Sequence, residues 1–169
     1  VHHGVRIQDP ALVAAATLVA WATPLSAQST ESSSGAIDAQ VWTTVSTTVV
    51  AHDLAGMAAT YHPAAVLVTP QGTMPIARAL AGWGQAMEAM KRNGSRASVA
   101  FRFSLRQDGA ETAFESGMFN YAVTDSAGAT TRYIIPFEAL LVRQDSRWLI
   151  VMERQFAAAD EAAWNAMAR

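Results

Sequence analysis

The sequence from Ala36 to Tyr61 reads AIDAQVWTTVSTTVVAHDLAGMAATY, and the spacing of its apolar residues decides the predicted fold. At about 100° per residue, these residues fall on one half of a helical wheel. We therefore predict a long helix that ends at His62-Pro63, because the residue before a proline avoids helical backbone angles. The residues on the apolar half of the wheel are Trp42, Val45, Val49, Val50, Asp53, Leu54, Met57 and Tyr61.

Asp53 is the acidic residue within this apolar arc. Desolvation of a carboxyl group favours its neutral form and suits the group to act as a general base. Tyr61 lies further along the same arc, and a phenol beside an acid can donate a hydrogen bond to a developing oxyanion. We predict Asp53 and Tyr61 as catalytic residues. The structural alternative is an acid that accepts hydrogen bonds and fixes the helix to the sheet, beside a tyrosine that belongs to the core.

A short strand and a second helix follow. Ala65 to Thr69 reads as a buried strand, and Pro70 to Gly72 reads as a turn. Thr73 is predicted to cap a second helix that carries Pro75 in its first turn and stops at Asn93-Gly94. The apolar stripe of this helix consists of Ile76, Leu80, Trp83, Met87 and Met90.

From residue 97 the period of the apolar residues changes to two, which is typical of strands. Four strands are predicted, separated by turns at Asp108-Gly109, at 125–128 and at Asp145-Ser146. Gly117 and Pro136 mark possible bulges, which would exchange the faces of a strand. A short helix from Asp160 to Ala168 closes the chain. The strands span Ala97 to Arg106, Ala113 to Val123, Thr130 to Arg143 and Arg147 to Phe156. This order predicts an α+β fold with helices on one face of a curved antiparallel sheet.

Composition limits the functions that the chain can have. Its 169 residues suit one domain, 51% of them are apolar, and the net charge of −2 provides no basic surface for nucleic acid. The absence of cysteine excludes disulfides and thiolate catalysis. His52 and His62 lack the spacing of a metal pair on one helical turn, so we expect neither a metal nor another cofactor.

The N-terminal residues resemble an export signal. An apolar run from Ala11 to Thr23 follows Arg6, and small residues at 25–27 precede a predicted cleavage near Ala27-Gln28. The run is shorter than the roughly 20 residues of a spanning helix, so we expect no stable membrane span. We predict a signal peptide over 1–27, a flexible linker over 28–35, a domain over 36–169, and a periplasmic or secreted location. The alternative is that the apolar run forms a buried helix.

Four features occur in a particular order. Asp53 precedes Tyr61 in the first helix, and the sequence YHPAAV from Tyr61 leads into a strand. The Pro70-Gln71-Gly72 turn precedes the second helix, and RQDSRWLI from Arg143 combines a charged turn with a tryptophan in the last strand. Over residues 36–157, this order resembles the SnoaL-like family of the nuclear-transport-factor-2-like superfamily.

The resemblance implies an α+β cone, or cystatin-like roll, in which helices pack in the concave face of a strongly curved antiparallel sheet. It also implies an apolar pocket at the wide end and a homodimer formed through the outer sheet face. Related proteins include ketosteroid isomerases, polyketide cyclases, dehydratases and non-catalytic binding modules. We expect the pocket to be lined by Trp42, Val49, Met57, Trp83, Met87, Phe103, Tyr121, Tyr133, Glu138 and Glu153.

These pocket residues also have structural interpretations. The aromatic and methionine side chains suit a core, and the strand acids Glu138 and Glu153 suit cross-strand pairs with arginine. The first functional hypothesis is an exported domain that binds a small apolar or carbonyl-bearing molecule. If it is an enzyme, it would be a cofactor-independent isomerase, cyclase or lyase that uses Asp53. The second hypothesis is a non-catalytic dimeric module for binding or assembly.

Overall fold

The computed structural model describes residues 33–167, so the predicted signal peptide and most of the predicted linker lie outside the described residues. Helix α1 begins at Ser33, three positions ahead of the predicted start. No helix within this range is both long and apolar enough to cross a lipid bilayer.

The predicted first helix is interrupted. It consists of α1 (Ser33–Ile37), a π-helical turn (Asp38–Trp42) and α2 (Thr43–Ala51), and a separate helix α3 (Leu54–Ala58) follows. His52 closes α2 with a left-handed backbone, at a φ of 52°. Asp53 is extended and accepts a 3.0 Å hydrogen bond from the amide of Gly56, so it caps α3. The prediction of one helix to Tyr61 is therefore wrong.

The second long helix begins later than predicted. Residues Gly72–Pro75 form strand β2, which pairs with β1 (Tyr61–Thr69), and helix α4 spans Ile76–Asn93. Thr73 thus lies in a strand and does not cap the helix. Gly94, with a φ of 73°, ends α4 as the sequence predicted.

Six strands form one sheet in the order β2-β1-β6-β5-β4-β3. The last four are β3 (Arg96–Asp108), β4 (Thr112–Thr124), β5 (Thr130–Gln144) and β6 (Arg147–Gln155), and they form an antiparallel meander. Strand β1 pairs with β6 in parallel, so the sheet is mixed and not purely antiparallel. The α+β class with helices packed on the sheet is confirmed.

Two bulges set which side chains face the helices. In β3, Phe103 pairs with Gly117 and Leu105 pairs with Ser116, so Ser104 is an extra residue. In β6, Met152 and Ile150 pair with consecutive residues of β5, so Val151 is an extra residue. After each bulge the alternation of faces is reversed, because side chains in a strand alternate with a period of two.

The core lies between the inner face of the sheet and the helices. The indole of Trp42 packs against Phe101, at 4.8 Å between ring centroids, and against Phe137 at 5.3 Å. The outer face is covered in part by the C-terminal segment with helix α5 (Glu161–Ala166). There the guanidinium of Arg102 lies 4.2 Å from the ring centroid of Trp164, and the amide of Ala159 donates to Ile134 O.

Candidate functional site

A cavity of about 440 Å³ lies between the inner face of the sheet and helices α2, α3 and α4. Helix α4 contributes Trp83, Ala86, Met87 and Met90 to one wall. The sheet contributes the opposite wall, since odd-numbered residues of β4 and β5 point inward. The remaining lining residues of the cavity, from α2, α3 and the sheet, are Val45, Val49, Met57, Tyr61, Ala97, Val99, Phe101, Phe119, Tyr121, Tyr133, Ile135 and Gln155.

The cavity has one markedly polar end. The hydroxyl of Tyr61 donates a 2.6 Å hydrogen bond to Glu153 Oε2, and Gln155 Nε2 donates a 2.7 Å bond to Glu153 Oε1. Tyr61 and Gln155 line the cavity, and the carboxyl group of Glu153 lies between their polar atoms. Tyr61 and Glu153 are 8% and 7% exposed. A carboxyl group thus lies behind the surface of an otherwise apolar cavity.

Burial changes the acidity of this pair. Desolvation raises the pKa of Glu153, while the hydrogen bonds from Tyr61 and Gln155 oppose the increase. Desolvation and the neighbouring Glu153 carboxyl raise the pKa of the Tyr61 phenol well above its usual range. The phenol therefore remains a proton donor at neutral pH, and the carboxyl group holds a proton more tightly than a carboxyl in water does.

The bulge at Val151 places Glu153 at the cavity. Without it, Glu153 would share a face with Leu149 and Val151, as strict alternation predicts. With it, Glu153 shares the inner face with Trp148 and Ile150, which are 2% and 0% exposed. Alternation of residue types does not reveal such a bulge, because the apolar residues Val151 and Met152 fit either face.

Asp53 lies outside the cavity. Its side chain is exposed and caps α3 by accepting a hydrogen bond from the amide of Gly56. The prediction of a buried acid on an apolar arc is wrong, because the arc assumed a continuous helix through His52 and Asp53. The structural alternative, an acid that accepts a backbone hydrogen bond, describes Asp53 correctly. Tyr61 does lie beside an acid, but that acid is Glu153.

The other predicted pocket residues divide into two groups. Six of them line the cavity: Val49, Met57, Trp83, Met87, Tyr121 and Tyr133. Trp42 and Phe103 do not, because they pack in the aromatic core and border a separate groove between α2 and β3. Glu138 is on the outer face, where it lies 3.7 Å from Arg154 in the cross-strand pair that the sequence offered as an alternative.

A second buried acid, Glu115, lies away from the cavity. It is 0% exposed, and its carboxylate accepts hydrogen bonds from Trp42 Nε1 at 2.5 Å and from Arg106 Nε at 2.8 Å. Arg106 also contacts Asp38, at 2.7 Å from Nη2 to Oδ1. Burial raises the pKa of Glu115, and the bonds from Arg106 and Trp42 oppose that increase. This cluster ties the π-helical turn to β3 and β4.

Two residues of these two clusters, Gln155 and Arg106, were not singled out in the sequence. No sequence pattern marked Gln155 as a functional residue, because a single amide side chain on a strand is common and indicates no particular function. Strict alternation along β3 would place Arg106 on the same face as Arg102, and the bulge at Ser104 turns it inward to Glu115. No group of three or more metal-binding side chains is found within residues 33–167.

Comparison with solved structures identifies the fold. The chain is similar to a ketosteroid isomerase-like protein from Erwinia carotovora atroseptica, at a TM-score of 0.55 and 16% identity over 77% of this chain and 98% of that chain. A nuclear transport factor 2-like superfamily protein from Salmonella enterica serovar Typhimurium matches at a TM-score of 0.56 and 11% identity, over 70% of this chain and 87% of that chain. An uncharacterized protein with a cystatin-like fold from Caulobacter vibrioides matches at a TM-score of 0.57 and 13% identity, over 78% of this chain and 93% of that chain.

No protein-family model and no curated protein sequence matches the chain. At the identities above, the similarity establishes the fold, which is the nuclear-transport-factor-2-like, cystatin-like α+β fold. The expectation of this fold from the order of sequence motifs is confirmed. The narrower assignment to the SnoaL-like family stays a prediction.

Proposed function

We propose that the domain is an exported, SnoaL-like binding domain that takes up a small, largely apolar organic molecule in the cavity between α4 and the sheet. The observation that carries this proposal is the cavity itself, whose volume of about 440 Å³ lies within the range of small-molecule sites. Its walls are mostly apolar, and its polar side chains are Gln155 and the phenols of Tyr61, Tyr121 and Tyr133. This arrangement provides burial for a ligand body, and the hydrogen-bonded group of Tyr61, Glu153 and Gln155 provides a place where its polar group is oriented.

Ligand binding is tested by thermal unfolding in the presence of a panel of apolar carbonyl compounds. A ligand that binds only the folded state adds RT ln(1 + [L]/Kd) to the free energy of unfolding. Ala86→Trp places an indole in the cavity and should abolish the stabilisation. Ala81→Trp is the matched control, because Ala81 is an exposed residue of the same helix that does not line this cavity. Equal stabilisation of both variants would contradict binding in the cavity.

Acid–base catalysis is a second candidate, favoured by the 2.6 Å bond between Tyr61 and Glu153 at the cavity end. In this proposal Glu153 takes the role that the sequence assigned to Asp53, and the Tyr61 phenol donates to an oxygen of the bound molecule. The chemistry would be that of a cofactor-independent isomerase, cyclase or lyase. It is tested by exchange of the protons next to the carbonyl group of a bound ketone in D₂O, followed by NMR. Glu153→Gln should abolish the exchange, and Asp53→Asn should leave it unchanged.

The export part of the proposal rests on the sequence of residues 1–27, which lie outside the described part of the chain. Expression of the full sequence in a bacterium should give a mature protein in the periplasm or medium that begins near Gln28. N-terminal sequencing of that protein tests the cleavage. A protein that retains residues 1–27 in the cytoplasm would contradict export and leave the binding proposal unaffected.

A further inference from the structure

We infer that the molecule bound in the cavity is an organic amine, with an apolar body and an ammonium group that pairs with Glu153. The inference rests on the proposed function, since it names the chemical class of the cavity's ligand. It starts from the polar end of the cavity, where an acid is buried without a cation. Three observations support it: the partners of Glu153, the contrast with Glu115, and the composition of the cavity walls.

The partners of Glu153 are neutral. Both carboxyl oxygens accept hydrogen bonds, Oε2 from the phenol of Tyr61 and Oε1 from the amide of Gln155. The ion pairs found among the described residues involve other acids. Hydrogen bonds to both oxygens suit the carboxylate form, but a carboxylate taken out of water is costly unless a positive charge lies near it. A cationic ligand would supply that charge.

The contrast with Glu115 shows that this chain does pair a buried acid when the acid is structural. Glu115 is 0% exposed and lies 2.7 Å from the guanidinium of Arg106, which also pairs with Asp38. Glu153 is buried to a similar degree, yet its neighbours include no such cation in the described part of the chain. The difference is its location, because Glu153 adjoins the cavity and Glu115 does not.

The walls of the cavity favour a cation with an apolar body. Its aromatic rings are those of Tyr61, Trp83, Phe101, Phe119, Tyr121 and Tyr133, and no lysine, arginine or histidine is among its lining residues within 33–167. The faces of aromatic rings attract ammonium groups, most strongly where water is excluded. A carboxylate or phosphate ligand would meet a buried acid and no basic side chain. A neutral ligand would fill the cavity and leave Glu153 without a cation.

The test compares three compounds that share one aromatic body: naphthylmethylamine, naphthylmethanol and naphthoic acid. Their affinities for the full chain are measured by calorimetry at about pH 7, where the amine is protonated and the acid is ionised. We expect the amine to bind at least about tenfold more tightly than the alcohol, since a charge-assisted bond and cation–π contacts are added. Naphthoic acid should bind most weakly.

Two variants separate Glu153 from general charge effects. Glu153→Gln should bring the affinity for the amine to within about threefold of that for the alcohol. Glu138→Gln removes one negative charge on the outer face and should keep the full preference for the amine. The unmodified chain tests the preference even if Glu153→Gln fails to fold.

The outcomes distinguish the inference from the function on which it rests. If the alcohol binds as tightly as the amine, or if the preference survives Glu153→Gln, the amine inference is wrong and small-molecule binding stands. If Glu138→Gln abolishes the preference, the effect comes from net charge and the inference is also wrong. If none of the three compounds binds, both the amine inference and the proposed function are overturned.

Discussion

The hydroxyl of Tyr61 donates a 2.6 Å hydrogen bond to Oε2 of Glu153, a residue 92 positions further along the chain. The bond links β1 to β6, the one parallel pair of strands in the described sheet. It forms because Tyr61 begins a strand and because the bulge at Val151 turns Glu153 inward. The same bond contributes to the stability of the fold and to the chemistry of the cavity, so substitutions at its two ends are informative.

Tyr61→Phe should destabilise the domain at neutral pH by about 1–3 kcal/mol, because a buried carboxyl oxygen loses its donor. Urea denaturation at about pH 7 measures this change in the free energy of unfolding. Tyr133→Phe is the matched control: it removes a phenol that lines the cavity but is 51% exposed, and it should change stability by at most about 0.5 kcal/mol. Equal effects of the two substitutions would show that the Tyr61–Glu153 bond adds no stability.

Glu153→Gln should change the pH dependence of stability. Because burial raises the pKa of Glu153 above its ordinary value of 4.5, the folded state binds the proton more tightly than the unfolded state does. The resulting stability is fully present below that value and is lost as pH rises through the raised pKa. The free energy of unfolding of Glu153→Gln relative to the natural chain should therefore increase from acidic to neutral pH.

Urea denaturation of both chains at several pH values measures this difference. The other titratable side chains along the cavity are the phenols of Tyr61, Tyr121 and Tyr133, and the pKa of Tyr61 and of Tyr121 is raised by burial. Ionisation of those two phenols thus lies above the range tested. A difference between the two chains that does not vary with pH would mean that Glu153 titrates in the fold as it does in water.

Local signals predicted much of this fold. The left-handed backbone at Gly94 and the turn at Asp145-Ser146, with φ values of 50° and 66°, depend on neighbouring residues and were placed correctly. The bulges were predicted only in part: Gly117 does lie opposite the bulge at Ser104, whereas the register is continuous at Pro136 and the bulge at Val151 was not expected, because an extra residue is defined only by the strand opposite. Each bulge shifts the alternation of side chains by one position, and this shift turns Arg106 and Glu153 to the inner face of the sheet. The fold class was therefore predictable, and Glu153 was among the residues expected at the pocket, whereas the role of the acid beside Tyr61 was assigned to Asp53.

Gly117→Ala tests the bulge at Ser104. A Cβ atom at residue 117 would overlap the backbone carbonyl oxygen of Arg102, which lies on the neighbouring strand just before the bulge. We expect a loss of stability of about 1–3 kcal/mol or more, because backbone has to move. Gly82→Ala is the matched control, since nothing lies within 4 Å of its added Cβ and alanine favours the helix by about 1 kcal/mol. A neutral Gly117→Ala would contradict the close approach of the two strands.

Arg106→Leu should destabilise the domain by about 3–5 kcal/mol, because it leaves Glu115 buried without its cation. Combining it with Glu115→Leu removes the uncompensated charge, so the double variant should be more stable than Arg106→Leu alone. Chemical denaturation of the three variants measures the coupling. Lys91→Gln breaks the exposed ion pair with Glu88 and should leave stability close to that of the natural chain, because solvent screens the pair. Additive effects of the two leucine substitutions would contradict the pairing.

The C-terminal segment bears on the predicted homodimer, since it covers part of the outer sheet face through which that dimer was expected to form. The amide of Ala159 donates a 2.8 Å hydrogen bond to Ile134 O, and Ile134 is only 4% exposed. Further along, the ring of Trp164 stacks with Arg102, whose guanidinium also donates to the Trp164 carbonyl. A dimer formed through the outer sheet face would therefore either include this segment in its interface or require its displacement.

Ending the chain after Phe156 should therefore increase self-association, because it uncovers the buried apolar side chain of Ile134 on the outer sheet face. Light scattering over a range of concentrations should show a larger dimer fraction for the shortened chain than for the full chain. Trp164→Ala, which keeps the backbone pairing at Ala159, should give an intermediate value. If the shortened chain folds and remains as monomeric as the full chain, the outer face is not a dimer surface, and the hypothesis of a dimeric assembly module loses its structural basis.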